Sequence, residues 1–251
     1  MRAMPNLFAD PPRMVSVHPA SVVWPANILR FHLEFDRAMD PFDAAAHVQL
    51  MTDDGQAVSG VLVDYPDGLW TADGRILTLL MHPARIKRGV AAHEALGPAL
   101  RPGASYWLGV DPAMADLQGR KIGREERFRF SASEPERRRI DTSAWCWTRP
   151  KSGTSAPLRV ETGRSLDNLS VRTAVFMMGE SGVPHPASFQ VTGEAIMVFP
   201  HSPWPDVIEI VVQPWLEDVC GNRPDGSFEQ TIRGADAAFC NLPMAGMAIQ
   251  P

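Results

Sequence analysis

Apolar and polar residues alternate in short bursts along this chain. In "ILRFHLEFD", Leu29, Phe31, Leu33 and Phe35 alternate with Arg30, His32, Glu34 and Asp36. That period of two predicts a strand with one buried and one wet face. The pattern recurs at Tyr106, Leu108 and Val110, at Phe128 and Phe130, at Leu158 and Val160, at Phe189 and Val191, and at Phe228, Gln230 and Ile232. Turn signals separate the runs: "DDG" (53–55), "PDG" (66–68), "ADG" (72–74) and "PDG" (224–226). Several short strands so punctuated predict an all-β chain of β-sandwich type. Helix is expected at three places only. "MDPFDAAAHV" offers Asp40 as N-cap and Pro41 as first helical residue, "LDNLS" (166–170) echoes it, and "GVAAHEAL" (89–96) stops at Gly97-Pro98.

The strand pattern repeats on a larger scale. "SYWLGVDPAMADLQGR" aligns without a gap on "VIEIVVQPWLEDVCGN", so that Leu108, Val110, Met114, Asp116 and Gly119 match Ile210, Val212, Leu216, Asp218 and Gly221, 102 positions on. Upstream, "FHLEFDRAMD" (31–40) matches "LRVETGRSLD" (158–167) at a spacing of 127, and "RILTLLMHP" (75–83) matches "AIMVFPHSP" (195–203) more weakly at 120. Two copies of one unit in the same order predict two similar domains in tandem. The expected layout is an N-terminal extension 1–13, domain one at 14–133, a polar linker 134–141, domain two at 142–234 and a C-terminal tail 235–251. Residues 84–103 form an insertion in the first copy with almost no counterpart in the second.

In both copies an aspartate, Asp116 or Asp218, precedes a glycine by three positions. Asp at the first position of a β-turn accepts a hydrogen bond from the backbone two residues on, and Gly suits the fourth position. The first copy, "ADLQGR", carries a single carboxylate, too few for a metal loop, so both stretches are expected to be turns.

Five stretches, "FDRAMD" (35–40), "DGQAVSG" (54–60), "YWLGV" (106–110), "DLQG" (116–119) and "RFRF" (127–130), resemble the bacterial immunoglobulin-like domains of the SbsA type, found in S-layer and other envelope proteins. The second copy departs from that pattern, with "GRSLD" in place of "FDRAMD". The resemblance implies two tandem immunoglobulin-like β-sandwich domains in a bacterial envelope or secreted protein. It brings no catalytic residues. The function it implies is non-enzymatic, a protein-binding or scaffold module whose partner is another protein or an envelope component.

Composition narrows the alternatives. The net charge of −5 argues against a nucleic-acid surface, which needs clustered positive charge. No window of roughly 18 apolar residues is present to span a membrane as a helix. The start, "MRAMPNLFADPPRMV", lacks the roughly 7–15-residue apolar core of a secretory signal. A cytoplasmic location therefore stays open beside the periplasmic or extracellular one that the resemblance implies. Cys146, Cys220 and Cys240 allow one disulfide plus a free thiol, or three thiols.

Chemistry-bearing motifs are sparse. There is no G-x-S-x-G, no G-x-G-x-x-G and no C-x-x-C, so no catalytic residue is assigned and no cofactor is expected. His185, His201 and Glu194, with the twelve methionines, raise a periplasmic copper-handling alternative, though no metal ligand is assigned. Trp145 and Trp147 flank Cys146 on one strand face, where they serve a core or present an aromatic surface; the latter is the basis of a carbohydrate-binding alternative. The insertion is not required by a sandwich, and its Arg85, Lys87, Arg88 and His93 form a positive surface in an acidic protein. Those four residues are the partner-binding candidates.

Overall fold

The structure, a computed structural model, describes residues 10–86, 97–228 and 247–249. It is mostly β and divides into two compact units, 1–18 with 22–135 and 19–21 with 136–251. The first unit contains β1 (Met14–His18), β2 (Val23–Pro25), β3 (Arg30–Phe35), β4 (Val48–Thr52), β5 (Leu69–Trp70), β6 (Ile76–Leu80), β7 (Ser105–Val110) and β8 (Glu126–Ser133). These strands form two sheets of order β1-β3-β6-β5 and β2-β8-β7-β4, antiparallel except where β2 runs parallel to β8. The second unit contains β9 (Cys146–Trp147), β10 (Leu158–Glu161), β11 (Val175–Met178), β12 (Ala187–Thr192), β13 (Ala195–Pro200), β14 (Glu209–Val212) and β15 (Met247–Ile249). Its sheets run β12-β13-β10-β9 and β11-β14-β15. Residues 247–249 of the tail thus complete a sheet by pairing with β14.

The alternating residues bury as their period requires. Phe31, Leu33 and Phe35 of β3, and Tyr106, Leu108 and Val110 of β7, are all at most 4% exposed. In the second unit one apolar cluster takes Leu158, Val160, Ile196 and Val198 from one sheet and Val175, Met177, Ile210 and Val212 from the other. Trp145 belongs to this cluster and Trp147 packs against it, so the strand-face pairing of the two indoles serves the core. Ile140 is also in it, which ties residues just after the division to the second unit.

Strand registers in the two units correspond closely. Val48 pairs with Val110 and Leu50 with Leu108; 127 and 102 positions on, Val175 pairs with Val212 and Met177 with Ile210. Phe31 pairs with Leu79 as Leu158 pairs with Val198, and Glu34 with Ile76 as Glu161 with Ala195. The spacing between β6 and β13 is therefore 119, one residue less than the 120 of the sequence match. A one-residue slip exchanges the two faces of a strand, and the burial of Leu77 and Ile196, both 0% exposed, fits 119.

Other local expectations are corrected. His32 was assigned to the wet face of β3, yet it is 2% exposed, with Nδ1 2.8 Å from the Thr78 hydroxyl. The helix expected to begin at Pro41 is a short 3₁₀ turn, Ala44–His47, preceded by Asp43 in the left-handed region at φ 52. Asp40 instead accepts a hydrogen bond from the Phe42 amide at 3.0 Å, an Asx turn rather than a helix cap. Its echo is a real helix, α1 (Asn168–Ala174), capped by Asp167, whose carboxylate accepts from the Ser170 amide at 2.7 Å. The helix expected at 89–96 and the strand residues Gln230 and Ile232 lie outside the described residues, and Phe228 falls in a turn.

Candidate functional site

The two Asp-Gly stretches are turns, as their spacing predicts, and each also holds a fully buried charge. The Gly119 amide donates to the Asp116 carbonyl at 2.8 Å, and the Gly221 amide to the Asp218 carbonyl at 3.0 Å. Both glycines have positive φ, 74° and 79°, which admits no other residue without strain. One Asp116 carboxylate oxygen, Oδ1, accepts from the Gln118 and Arg120 amides, both at 3.0 Å, and the other from Arg120 Nε at 2.7 Å. Asp218 Oδ1 accepts from the Cys220 and Asn222 amides, both at 2.9 Å, and its second oxygen from Asn222 Nδ2 at 2.9 Å and Arg164 at 3.1 Å. Met39 bridges to Asp116 as Leu166 bridges to Asp218. Arg37, two positions before Met39, stands 4.0 Å from Asp116, as Arg164 stands two positions before Leu166. Asp116 and Asp218 are 0% and 1% exposed. An arginine stands at the same position of "FDRAMD" and "TGRSLD", a signal of this shared node that the sequence carries.

Arg164 also approaches Glu136 at 3.9 Å, so the two carboxylates share one guanidinium, while their other surroundings shift them in opposite senses. The Arg138 hydrogen bonds hold the Glu136 carboxyl down from 4.5 to about 2. A folded value below the unfolded one gives stability that is present above pH 4.5 and lost as pH falls towards about 2. Burial pushes Asp218 upward, so its charge opposes folding at neutral pH and that opposition weakens on acidification. Below pH 4.5, Glu136→Gln is expected to flatten the acid loss of the second unit's urea midpoint relative to the wild type, measured by stepped-pH hydrogen exchange. Equal acid slopes in the two proteins would sink this assignment.

The insertion is anchored in the first unit at both ends. A helical turn, Pro83–Ile86, enters it, and Ile86, Ala99 and Leu100 are at most 3% exposed. Arg85 Nε donates to the Gly97 carbonyl at 2.8 Å and its terminal nitrogens to the carbonyls of Pro98 and Gly60 at 3.2 and 3.4 Å. Arg85 therefore clamps the base of the insertion. Lys87, Arg88 and His93 lie outside the described residues. Beside the clamp is an open cleft of about 560 Å³ whose lining includes Arg85, Arg101, Asp53, Asp54 and Tyr106. Arg129 binds Asp53 through both carboxylate oxygens at 2.9 Å and lies 5.7 Å from the Trp107 ring, which fixes one wall. Arg101 is exposed at the rim, its amide held by the Tyr106 hydroxyl at 2.9 Å. The cleft presents fixed charges of both signs, and on its lining the Thr52 hydroxyl donates to the Asp54 carboxylate.

Elsewhere the chemistry is thin. His201 Nε2 lies 2.7 Å from the Ser188 hydroxyl, and the His185 ring lies tilted against Trp204 with centroids 5.2 Å apart. Among the described residues no group of three or more His, Cys, Asp or Glu side chains converges as a metal would need. Cys146 is an exposed free thiol and Cys220 a buried one, whose thiol burial pushes well up; Cys240 lies outside the described residues. No helix among the described residues is long and apolar enough to cross a membrane.

No protein-family model matches the chain, and no curated protein is similar to it. Among solved structures it is similar to native α-2-macroglobulin from Escherichia coli spanning domains MG0-NIE-MG1, at 10% identity and TM-score 0.32, covering 82% of this chain and 60% of that one. It is also similar to a Salmonella α-2-macroglobulin mutant, Y1175G, at 11% identity and TM-score 0.33, covering 83% and 12% of the two chains. The plexin A4 extracellular region is matched at 13% identity and TM-score 0.28, over 80% of this chain and 16% of that one. With such identities and scores, these neighbours fix neither a fold family nor a role for the chain.

Proposed function

We propose that the chain is a non-enzymatic module of two tandem immunoglobulin-like β-sandwich domains, acting in the bacterial envelope or outside the cell as a protein-binding or scaffold component. The domains are 14–133, with the insertion 84–103, and 142–234, joined by 134–141 and flanked by the extension 1–13 and the tail 235–251. The observation that carries this reading is the repetition, at offsets of 127 and 102, of both the strand register and the buried Asp turn. In each unit the most deeply buried carboxylate of this repeat is tied up by backbone amides and arginine, so it serves the framework and is not free for catalysis. The insertion, anchored by Arg85 and bordered by the charged cleft, offers Arg85, Lys87, Arg88 and His93 as the binding surface.

The test uses the full chain in its native host, with crosslinking and mass spectrometry. The comparison is wild type against a Lys87→Glu, Arg88→Glu, Arg101→Glu variant, which leaves the Arg85 clamp intact. The expected result is one envelope or secreted protein crosslinked by the wild type and depleted in the variant. Crosslinks that survive the charge reversal, or that involve only cytoplasmic proteins, would overturn the assignment.

A further inference from the structure

A second surface, in the other unit and independent of the insertion, carries its own chemistry. Among the described residues β9 is the edge strand of its sheet and pairs only with β10, Trp147 opposite Val160 and Cys146 opposite Glu161. On its other side, among the described residues, no backbone hydrogen bond reaches Cys146–Arg149. An open groove of about 640 Å³ runs along this edge, lined in part by Cys146, Trp147, Arg149, Lys151, Arg159 and Glu161. The half-buried indole of Trp147 packs against the core and gives the groove a fixed floor. Arg159 and Glu161 neutralise each other through an ion pair at 2.5 Å. Arg149 and Lys151 are exposed and, among the described residues, have no ion-pair partner. The groove is therefore positive in a chain whose net charge is −5.

We propose that this groove takes an extended acidic segment of a partner protein, which adds to the sheet along the free side of β9 while Arg149 and Lys151 pair with its carboxylates. An open sheet edge presents unpaired N–H and C=O groups that an extended peptide satisfies. Two unpaired cations beside that edge select for acidic side chains and speed encounter. A nucleic acid or an anionic membrane offers the charge but no strand to pair with the edge.

The full-length chain with Cys240→Ser is titrated with a fluorescein-labelled synthetic peptide alternating glutamate and threonine, and with its glutamine counterpart, by fluorescence polarisation. The glutamate peptide is expected to bind at least about tenfold more tightly than the glutamine one, and Arg149→Glu with Lys151→Glu is expected to abolish that difference. Bound peptide is expected to slow maleimide alkylation of the exposed Cys146, and methylation of alternate peptide amides to weaken binding. Cys220, buried and unreactive while the second unit is folded, reports that the variants keep their fold. Absence of binding, equal affinity for the two peptides, or binding that leaves Cys146 unprotected would overturn the proposal. So would tighter binding of heparin or of phosphatidylglycerol vesicles at the same residues.

Discussion

Asp218→Ala is expected to destabilise the second unit by about 3–5 kcal/mol, the range for breaking a buried, hydrogen-bonded charge pair by removing one partner. The carboxylate accepts from two backbone amides, one side-chain amide and one guanidinium, and alanine offers no oxygen to any of those donors. Arg164 is 13% exposed and keeps the Arg138 carbonyl at 2.8 Å and the weaker approach to Glu136, which holds the loss towards the lower end of that range. Asp218→Asn keeps one oxygen for the amides of Cys220 and Asn222 and is expected to cost less. Hydrogen exchange read by mass spectrometry separates the units: protection should fall in β10, β11, β13 and β14 while β3, β6 and β7 keep theirs. An alanine variant within about 1 kcal/mol of wild type, an ordinary cost for a surface change, would show the node to be dispensable. Asp116→Ala should mirror the effect in the first unit, where Arg120 Nε stands in the place of the Asn222 amide.

The turns and most strands were legible because their determinants are local. Asp and Gly three apart specify a turn wherever they fall, and Phe31, Leu33 and Phe35 announce a buried face by alternation alone. The turns alone do not announce the burial of Asp116 and Asp218, because Arg37 and Arg164, which approach them, lie far upstream in the chain. The weak third match slipped by one residue for a related reason. "AIMVF" is apolar at every position, so it carries no alternation to set its register, which is fixed by pairing with β10. His32 misled because alternation marks one face as buried but cannot say that the other is open. The clamp made by Arg85 was not legible, because its guanidinium donates to the carbonyls of Gly97 and Pro98, a contact closed across the insertion. "WCWTRPKSG" held its signal in plain view: two aromatic residues in period two, then Arg149 and Lys151 on either side of Pro150.

Trp24→Ala is expected to be the most damaging apolar truncation in the first unit, at about 3–5 kcal/mol. β2 is only three residues long and parallel to its neighbour, so its backbone pairing is slight and its indole must do the anchoring. The ring is 1% exposed and stacks on Phe130 at 3.9 Å and Phe128 at 5.6 Å within its own sheet. It also stacks on Phe31 of the facing sheet at 5.6 Å, and Phe130 continues the stack to Tyr106 at 5.6 Å. Removing the indole opens a cavity between two sheets that rigid aromatic neighbours cannot close, and it takes away the pair energies as well. Trp24→Phe should recover part of the loss by keeping a ring in the stack. Val15→Ala, at a residue 56% exposed on β1, is the matched control and should change stability by no more than about 0.5 kcal/mol. The urea midpoint of the first unit and its near-ultraviolet circular dichroism give the readout. If Trp24→Ala tracked Val15→Ala, the two sheets would be held by their other contacts, and the stack would be a consequence of the fold rather than one of its causes.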